Sequence, residues 1–256
     1  MELILGAVLT ALAVAGLLGA ARHLGQRAAG MLAALPTVTA PTLAWIAHDR
    51  GIAFAADASV AGVAACAMLA AFALGYTRAP RHGGAALALL CGLTSAALVA
   101  WPVHHASRTL PAALALAVLS CVVALLLMPR VPRVSGAPLV RTGSVVPTAA
   151  AAGTLTAAAA TAASTLGSFA AGLLSSLPII SGTITLVEHA RHGPTAATRF
   201  LRGYVGGLFA KAVFGATFAV LAIDLEAATA LVIAVLVTGP VVSLAAHLAR
   251  RDGVHG

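Results

Sequence analysis

A lysine lies close to the middle of a long apolar stretch of this chain. Lys211 is enclosed by alanine, phenylalanine, valine and glycine in the run 195–222, which is long enough to cross a membrane. A charged side chain at that depth normally faces the protein interior or water. An ammonium group there could bind an anionic ligand, pair with a buried carboxylate, or be held by backbone carbonyls alone.

Other charges lie in this apolar run and in an earlier one. Arg199 and Arg202 precede Lys211, and Asp57 lies in the run 52–76. Arg199 is near enough to the end of its run to extend to the membrane surface. The excess of cations over anions predicts an anionic ligand in preference to a cationic one.

Helical spacing predicts which way these charges point. Gly203, Gly207, Lys211 and Gly215 recur every four residues, and such a stripe of small residues lets a neighbouring helix approach closely. Asp57 begins a similar stripe of mostly small residues. We therefore expect both stripes to direct charge into a helix bundle.

Two prolines interrupt apolar runs about halfway along. Pro36 is followed by Thr37 and Thr39, and Pro178 is followed by Ser181. Each proline removes a backbone N–H and frees a carbonyl at membrane depth, which is tolerated where the backbone lines a cavity or is covered by protein. The pattern predicts either a binding site at two broken helices or two kinks whose hydroxyls satisfy the backbone.

Histidines and one glutamate stand at the ends of the runs. Glu188 and His189, together with His48, are candidates for a gate or a proton relay, although Glu188 and His189 could simply neutralise nearby arginines. The adjacent His104 and His105 have no cysteine or carboxylate close in sequence. We therefore predict no metal site and no cofactor.

Composition assigns the chain to the membrane. Of the 256 residues, 61% are hydrophobic and 9% are charged, and the mean hydropathy is +1.02, which exceeds what a soluble domain of this size can bury. Stretches of about 20 apolar residues, the length that spans a bilayer, predict an all-α transmembrane bundle of nine spans. They are 2–20, 26–47, 52–76, 84–103, 110–128, 145–164, 167–187, 195–222 and 227–248.

The chain also repeats itself. Residues 24–51 match residues 166–193, 142 positions later, at nine of 28 positions, prolines included. The match predicts three segments: a first four-span repeat at 1–103, a connector span and basic loop at 104–144, and a second repeat at 145–256. Because four spans and one connector make an odd number, the second repeat enters the membrane from the opposite side, so the two repeats are inverted.

Apart from Arg199 and Arg202 in the run 195–222, the arginines fall mainly on one side of the predicted membrane arrangement. Ten lie on one side and two on the other, which by the positive-inside rule puts the N-terminus outside and the C-terminus in the cytoplasm. Their scatter over short loops, without a basic soluble face, argues against nucleic-acid binding. The ten are Arg22, Arg27, Arg78, Arg81, Arg130, Arg133, Arg141, Arg191, Arg250 and Arg251, and the two are Arg50 and Arg108.

The run 28–62 contains four residue pairs of interest, Ala29-Gly30, Pro36-Thr37, Ala47-His48 and Arg50-Gly51. In these pairs it resembles the GlpM-like family of small bacterial inner-membrane proteins. Such a protein has about four spans, so this chain would be a fused, inverted pair in the bacterial inner membrane. The resemblance transfers no functional residue.

These features predict a membrane transporter, and not an enzyme, for a small or lipid-linked solute that is anionic. Its central site would be formed at Pro36 and Pro178. An alternative is a scaffold or accessory subunit of a cell-envelope synthesis complex, in which the small-residue stripes serve only partner packing. An intramembrane enzyme is the least supported class, because the spans contain no HExxH or GxSxG pattern. The bilayer and the solute are the expected partners, with a homodimer or a membrane complex as the further possibility.

Overall fold

The computed structural model describes residues 26–36, 39–80, 83–106, 108–131, 176 and 178–251. Within these ranges the chain forms eight helices and no strand, so the all-α prediction is confirmed. The helices are α1 (Gln26–Ala33), α2 (Thr39–Arg50), α3 (Ile52–Arg78), α4 (Gly84–Ala106), α5 (Leu110–Leu127), α6 (Ile179–His192), α7 (Pro194–Leu221) and α8 (Ala227–Arg251).

Four of these helices, α3, α4, α5 and α7, are long and apolar enough to cross a membrane. Their bounds agree with the predicted spans to within a few residues, because a bilayer demands an uninterrupted hydrogen-bonded helix of about this length. Helix α8 carries a shorter apolar stretch, Ala227–Val241. The predicted spans 2–20 and 145–164 lie outside the described residues.

The predicted span 26–47 is divided at its proline. Helix α1 ends at Ala33 and α2 begins at Thr39, with Pro36 in the turn between them. The Pro36 carbonyl accepts the N–H of Ala40 at 2.8 Å and so closes the first turn of α2. The interruption is present where the sequence places it, because proline cannot donate the bond that would continue α1.

Helices α3 and α7 form the centre of the bundle, and their side chains are largely buried. Helices α4 and α5 pack around α3 and direct large apolar side chains outwards, among them Leu98, Trp101 and Leu126. That distribution suits helices whose outer surface contacts lipid, where an exposed apolar side chain costs nothing.

The two central helices run antiparallel. Ser59 Oγ of α3 donates to the Gly215 carbonyl of α7 at 2.9 Å, and Cys66 Sγ lies 3.8 Å from the Leu208 carbonyl. A step of seven residues forward along α3 is therefore a step of seven residues backward along α7.

Helix α1 runs parallel to α7 at very close range. A methyl group at Gly203 would overlap the Arg27 carbonyl oxygen, and one at Gly207 would come within 2.6 Å of the Met31 carbonyl oxygen. A methyl group at Gly30 would meet the Phe200 carbonyl. Only glycine permits this backbone contact, as the small-residue stripe predicts.

A glycine with positive φ precedes each central helix. Gly51 comes directly before α3 with φ 89°, and Gly193 comes directly before α7 with φ 82°. Glycine adopts this region of backbone space without the penalty that a Cβ atom brings. Both turns therefore reverse the chain sharply, so that α2 packs against α3 and α6 against α7.

Candidate functional site

Lys211 lies inside the protein, near the centre of α7. The residue is 9% exposed, and its ammonium donates to Ser176 Oγ at 3.2 Å. Ser176 is itself 3% exposed and comes two residues before Pro178. The expectation that the glycine stripe directs Lys211 into the bundle is confirmed.

The second predicted proline forms the start of α6. Pro178 is the residue before the first helical position, and no side chain caps the first turn. The Pro178 carbonyl accepts the N–H of Gly182 at 2.8 Å. Ser181 lies in this first turn, is 3% exposed, and its Oγ has no hydrogen-bond partner among the described residues.

A tyrosine of α7 lies near the first turn of α6. The Tyr204 side chain lies beside Ser181, without a well-formed hydrogen bond between the two hydroxyls. Tyr204 is seven residues before Lys211, which places both side chains on one side of α7. Sequence reasoning missed Tyr204, although that spacing from a buried lysine is a usable signal.

The turn at Pro36 approaches the same level of α7. Gly207, one turn before Lys211, packs against Met31 and Ala34 at the end of α1. Pro36 follows Ala34 by two residues and is buried. The segment that leads to Pro36 therefore packs one helical turn before Lys211. Thr39 is partly buried at the start of α2, and Thr37 lies outside the described residues.

Arg202 lies apart from Lys211. Its Nη1 donates to the carbonyls of Leu125 at 3.1 Å and Met128 at 3.0 Å, at the C-terminal end of α5. Arg78 donates to the Leu127 carbonyl there, at 3.1 Å from Nε and 2.6 Å from Nη2. Both arginines supply positive charge where the helix dipole is negative. Arg202 is nine residues from Lys211, about half a turn away around α7, and these contacts place its guanidinium at the end of α5.

Asp57 also departs from expectation. Its side chain is exposed near the start of α3, whereas Ala61, Ala65, Leu69 and Ala73 are buried. The prediction that this stripe directs Asp57 into the bundle is wrong, because the buried side of α3 near its start is formed by Ala55, Ala58 and Ser59. Arg199, which is predicted to extend to the membrane surface, is partly buried near the start of α7.

Glu188 and His189 form a polar cluster where α6 ends. Glu188 is fully buried, and its Oε2 lies 3.2 Å from His192 Nδ1. The Tyr76 hydroxyl is 2.9 Å from His189 Nδ1 and joins α3 to α6. Burial lowers the pKa of His189, which lies beyond the predicted span 167–187, and the neutral ring can therefore accept a hydrogen bond from the tyrosine hydroxyl.

The third candidate for a gate or relay lies elsewhere. His48 is exposed in the last turn of α2, where its ring centroid is 6.2 Å from that of Trp45. An apolar cluster formed by α2, α3, α7 and α8 occupies this end of the bundle and includes Leu43, Phe214 and Phe218. The structure thus brings Glu188 and His189 together with Tyr76 and His192, which sequence reasoning did not select, and leaves His48 apart from them.

Comparisons with protein families, with curated proteins and with solved structures find no match to this chain. The described geometry alone therefore carries the functional argument. It defines an all-α protein with helices suited to a membrane, a buried lysine at its centre, and a proline-initiated helix beside that lysine.

Proposed function

We propose that this protein is a membrane transporter for a small solute or a lipid headgroup that carries negative charge. The observation that carries the proposal is Lys211, whose ammonium is buried in α7 and bonded to Ser176 beside the start of α6. A cation held at this depth is costly, and such residues usually serve a ligand or an ion path. The nearby chain turn at Pro36 supports a central site at two interrupted helices.

An inverted duplication of the chain is part of this proposal. Leu208 is the residue 142 positions after Cys66, and these two residues meet where α3 and α7 cross. A pseudo-twofold axis requires equivalent residues to meet on it and equivalent helices to run in opposite directions. The antiparallel contact of α3 with α7 supports such an axis.

Two pairs of equivalent turns also support the inverted duplication. Pro36 and Pro178 each accept a bond from the residue four positions on, at 2.8 Å in both cases. Gly51 and Gly193, also 142 positions apart, have φ values of 89° and 82°. We propose on these grounds the nine-span architecture with two inverted four-helix repeats.

Orientation in the membrane follows from the same proposal. The end of α3, the end of α5 and the start of α7 meet through Arg78 and Arg202, so the loops at these ends share one side. The arginine bias assigns that side to the cytoplasm. A bacterial inner membrane and a relation to the GlpM-like family remain parts of the proposal.

Transport by the purified protein tests the function. We expect wild-type proteoliposomes to take up radiolabelled phosphate or to move fluorescent phosphatidylglycerol between leaflets. Lys211→Met, which keeps the length and removes the charge, should reduce the rate at least tenfold, since a charge-assisted hydrogen bond contributes about 1.5–3 kcal/mol. Lys211→Arg should not restore it, because the wider guanidinium does not fit a site shaped around an ammonium.

The alternative, a scaffold of a cell-envelope synthesis complex, predicts a different result. A scaffold would give no flux above empty liposomes for either probe, and its variants would change only the recovery of partner proteins. Undiminished flux by a monodisperse Lys211→Met protein would remove Lys211 from the transport site.

A further inference from the structure

We infer that the start of α6, together with Lys211, Ser176 and Ser181, is a binding site for an oxyanion, that is, a phosphate or carboxylate group. The inference rests on the proposed function only in that the bound anion is the solute that is transported. Binding at this site can be tested separately from transport.

The lysine has unused capacity for hydrogen bonds. An ammonium has three N–H donors and no acceptor, and in the described part of the chain Lys211 uses one of them, on Ser176 Oγ. Because Ser176 accepts that bond, its own O–H is left to donate elsewhere. Two N–H groups of Lys211 and the O–H group of Ser176 are thus available at a buried position, where an anion would satisfy them.

The serine in the first turn of α6 points to the same ligand independently. Ser181 is 3% exposed, and its Oγ makes no hydrogen bond of good geometry within the described ranges; the Tyr204 hydroxyl is the polar group beside it. A buried hydroxyl without a partner costs about 1–3 kcal/mol. A bound oxygen atom would remove that cost.

The helix itself favours negative charge at this point. Helix α6 is 14 residues long and begins directly after Pro178, with no side chain capping its first turn. The first backbone N–H groups of a helix point along the axis and carry the positive end of its dipole. Together with a buried ammonium and two hydroxyls, they match the donor requirements of an oxyanion.

The test measures anion binding by the full-length protein in detergent and in lipid nanodiscs. Inorganic phosphate and acetate are added to the detergent sample, and nanodiscs of phosphatidylglycerol are compared with nanodiscs of phosphatidylcholine. We expect at least one of these anions to raise the thermal unfolding temperature of wild type, since a ligand that binds only the folded state stabilises it. Stabilisation by inorganic phosphate or acetate indicates a soluble ligand, and stabilisation by phosphatidylglycerol alone indicates a lipid headgroup.

Ser181→Ala is the most informative variant. Without ligand it should unfold at the wild-type temperature or above, because it removes a buried hydroxyl that makes no well-formed hydrogen bond. Its apparent affinity for the stabilising anion should nevertheless fall about tenfold. Lys211→Met should lose the anion effect altogether.

Ser59→Ala is the matched control. Ser59 is a buried serine of α3, 2% exposed, whose hydroxyl donates to the Gly215 carbonyl of α7 and not to a residue of α6. We expect this variant to lose some stability and to keep its anion affinity.

Two results would overturn the inference: no anion stabilises wild type in either medium, or Ser181→Ala binds the anion as tightly as wild type does. Failure of the proposed function has a different signature, in which the anion binds and depends on Ser181 but the proteoliposomes show no flux. Flux that Ser181→Ala and Lys211→Met leave intact would instead keep the transporter and reject this site.

Discussion

Arg202 and Lys211 are nine residues apart on α7 and have opposite roles in the structure. Lys211 is enclosed near the turn at Ser176, whereas Arg202 reaches carbonyls at the end of α5. Nine residues correspond to about two and a half turns of helix, so the side chains leave α7 in opposite directions. Of the two cations, only Lys211 lies where the proposed central ligand would bind.

We predict that Arg202→Gln lowers the free energy of unfolding by about 1–2 kcal/mol, because it removes donors from the last carbonyls of α5. Anion binding should be unchanged. Arg191→Gln is the control, since Arg191 is exposed in the last turn of α6 and its loss should cost less than about 0.5 kcal/mol. Both are measured by unfolding in detergent. Loss of anion binding in Arg202→Gln would return this residue to the site.

At the scale of elements, α1 packs on α7 so that Ala34, two residues before Pro36, faces Gly207, one turn before Lys211. The contact is between backbones, since methyl groups at Gly30 and Gly203 would overlap carbonyls of the facing helix. Lipid provides no hydrophobic drive for helix association, so the closeness that glycine allows is what stabilises such a pair.

Replacing one of two glycines on α7 should reveal this contact. Gly203→Ala should destabilise the protein by about 1–3 kcal/mol, because its methyl group would force α1 away from α7. Gly206→Ala should be neutral or slightly stabilising, since a methyl group there has open space within 4 Å and alanine favours helix. Thermal unfolding of both variants in detergent compares them directly. Equal effects would mean that α1 and α7 are not in close backbone contact.

At the scale of the whole molecule, a pseudo-twofold axis through the crossing of α3 and α7 predicts contacts beyond those already described. The pair Ser59 and Gly215 becomes, under the 142-residue shift, the pair Leu201 and Ala73. Both residues of the second pair are fully buried. If the axis holds, they face each other as Ser59 and Gly215 do.

We expect disulfide cross-links in both pairs when each is changed to cysteine in a chain whose native cysteines, Cys66, Cys91 and Cys121, are replaced by alanine. A disulfide needs Cβ atoms about 3.5–4.5 Å apart, and a Cβ at Gly215 would lie 3.4 Å from Ser59 Oγ. Peptide mass spectrometry after mild oxidation detects the bond. The control pair Ser59→Cys with Gly206→Cys should form no disulfide. If the Ser59 and Gly215 pair forms a disulfide and the Ala73 and Leu201 pair does not, the result would argue against the twofold axis.

The amino-acid sequence by itself determined the membrane helices and where they are interrupted. The bounds of α3, α4, α5 and α7 follow from apolar length, because a bilayer accepts only continuous helix of that extent. The break at Pro36 and the start of α6 after Pro178 follow from a missing backbone donor. The burial of Lys211 followed from a four-residue glycine stripe. All of these are local properties of the chain.

The tertiary structure alone decided which polar groups meet. The partners of Arg202, the exposure of Asp57, and the proximity of Tyr204 to Ser181 depend on helices that are far apart in the chain. Helical periodicity gives the direction of a side chain relative to its own axis, but it does not say which helix lies in that direction. That choice is made by backbone packing at the glycines of α1 and α7 and by the antiparallel crossing of α3 and α7.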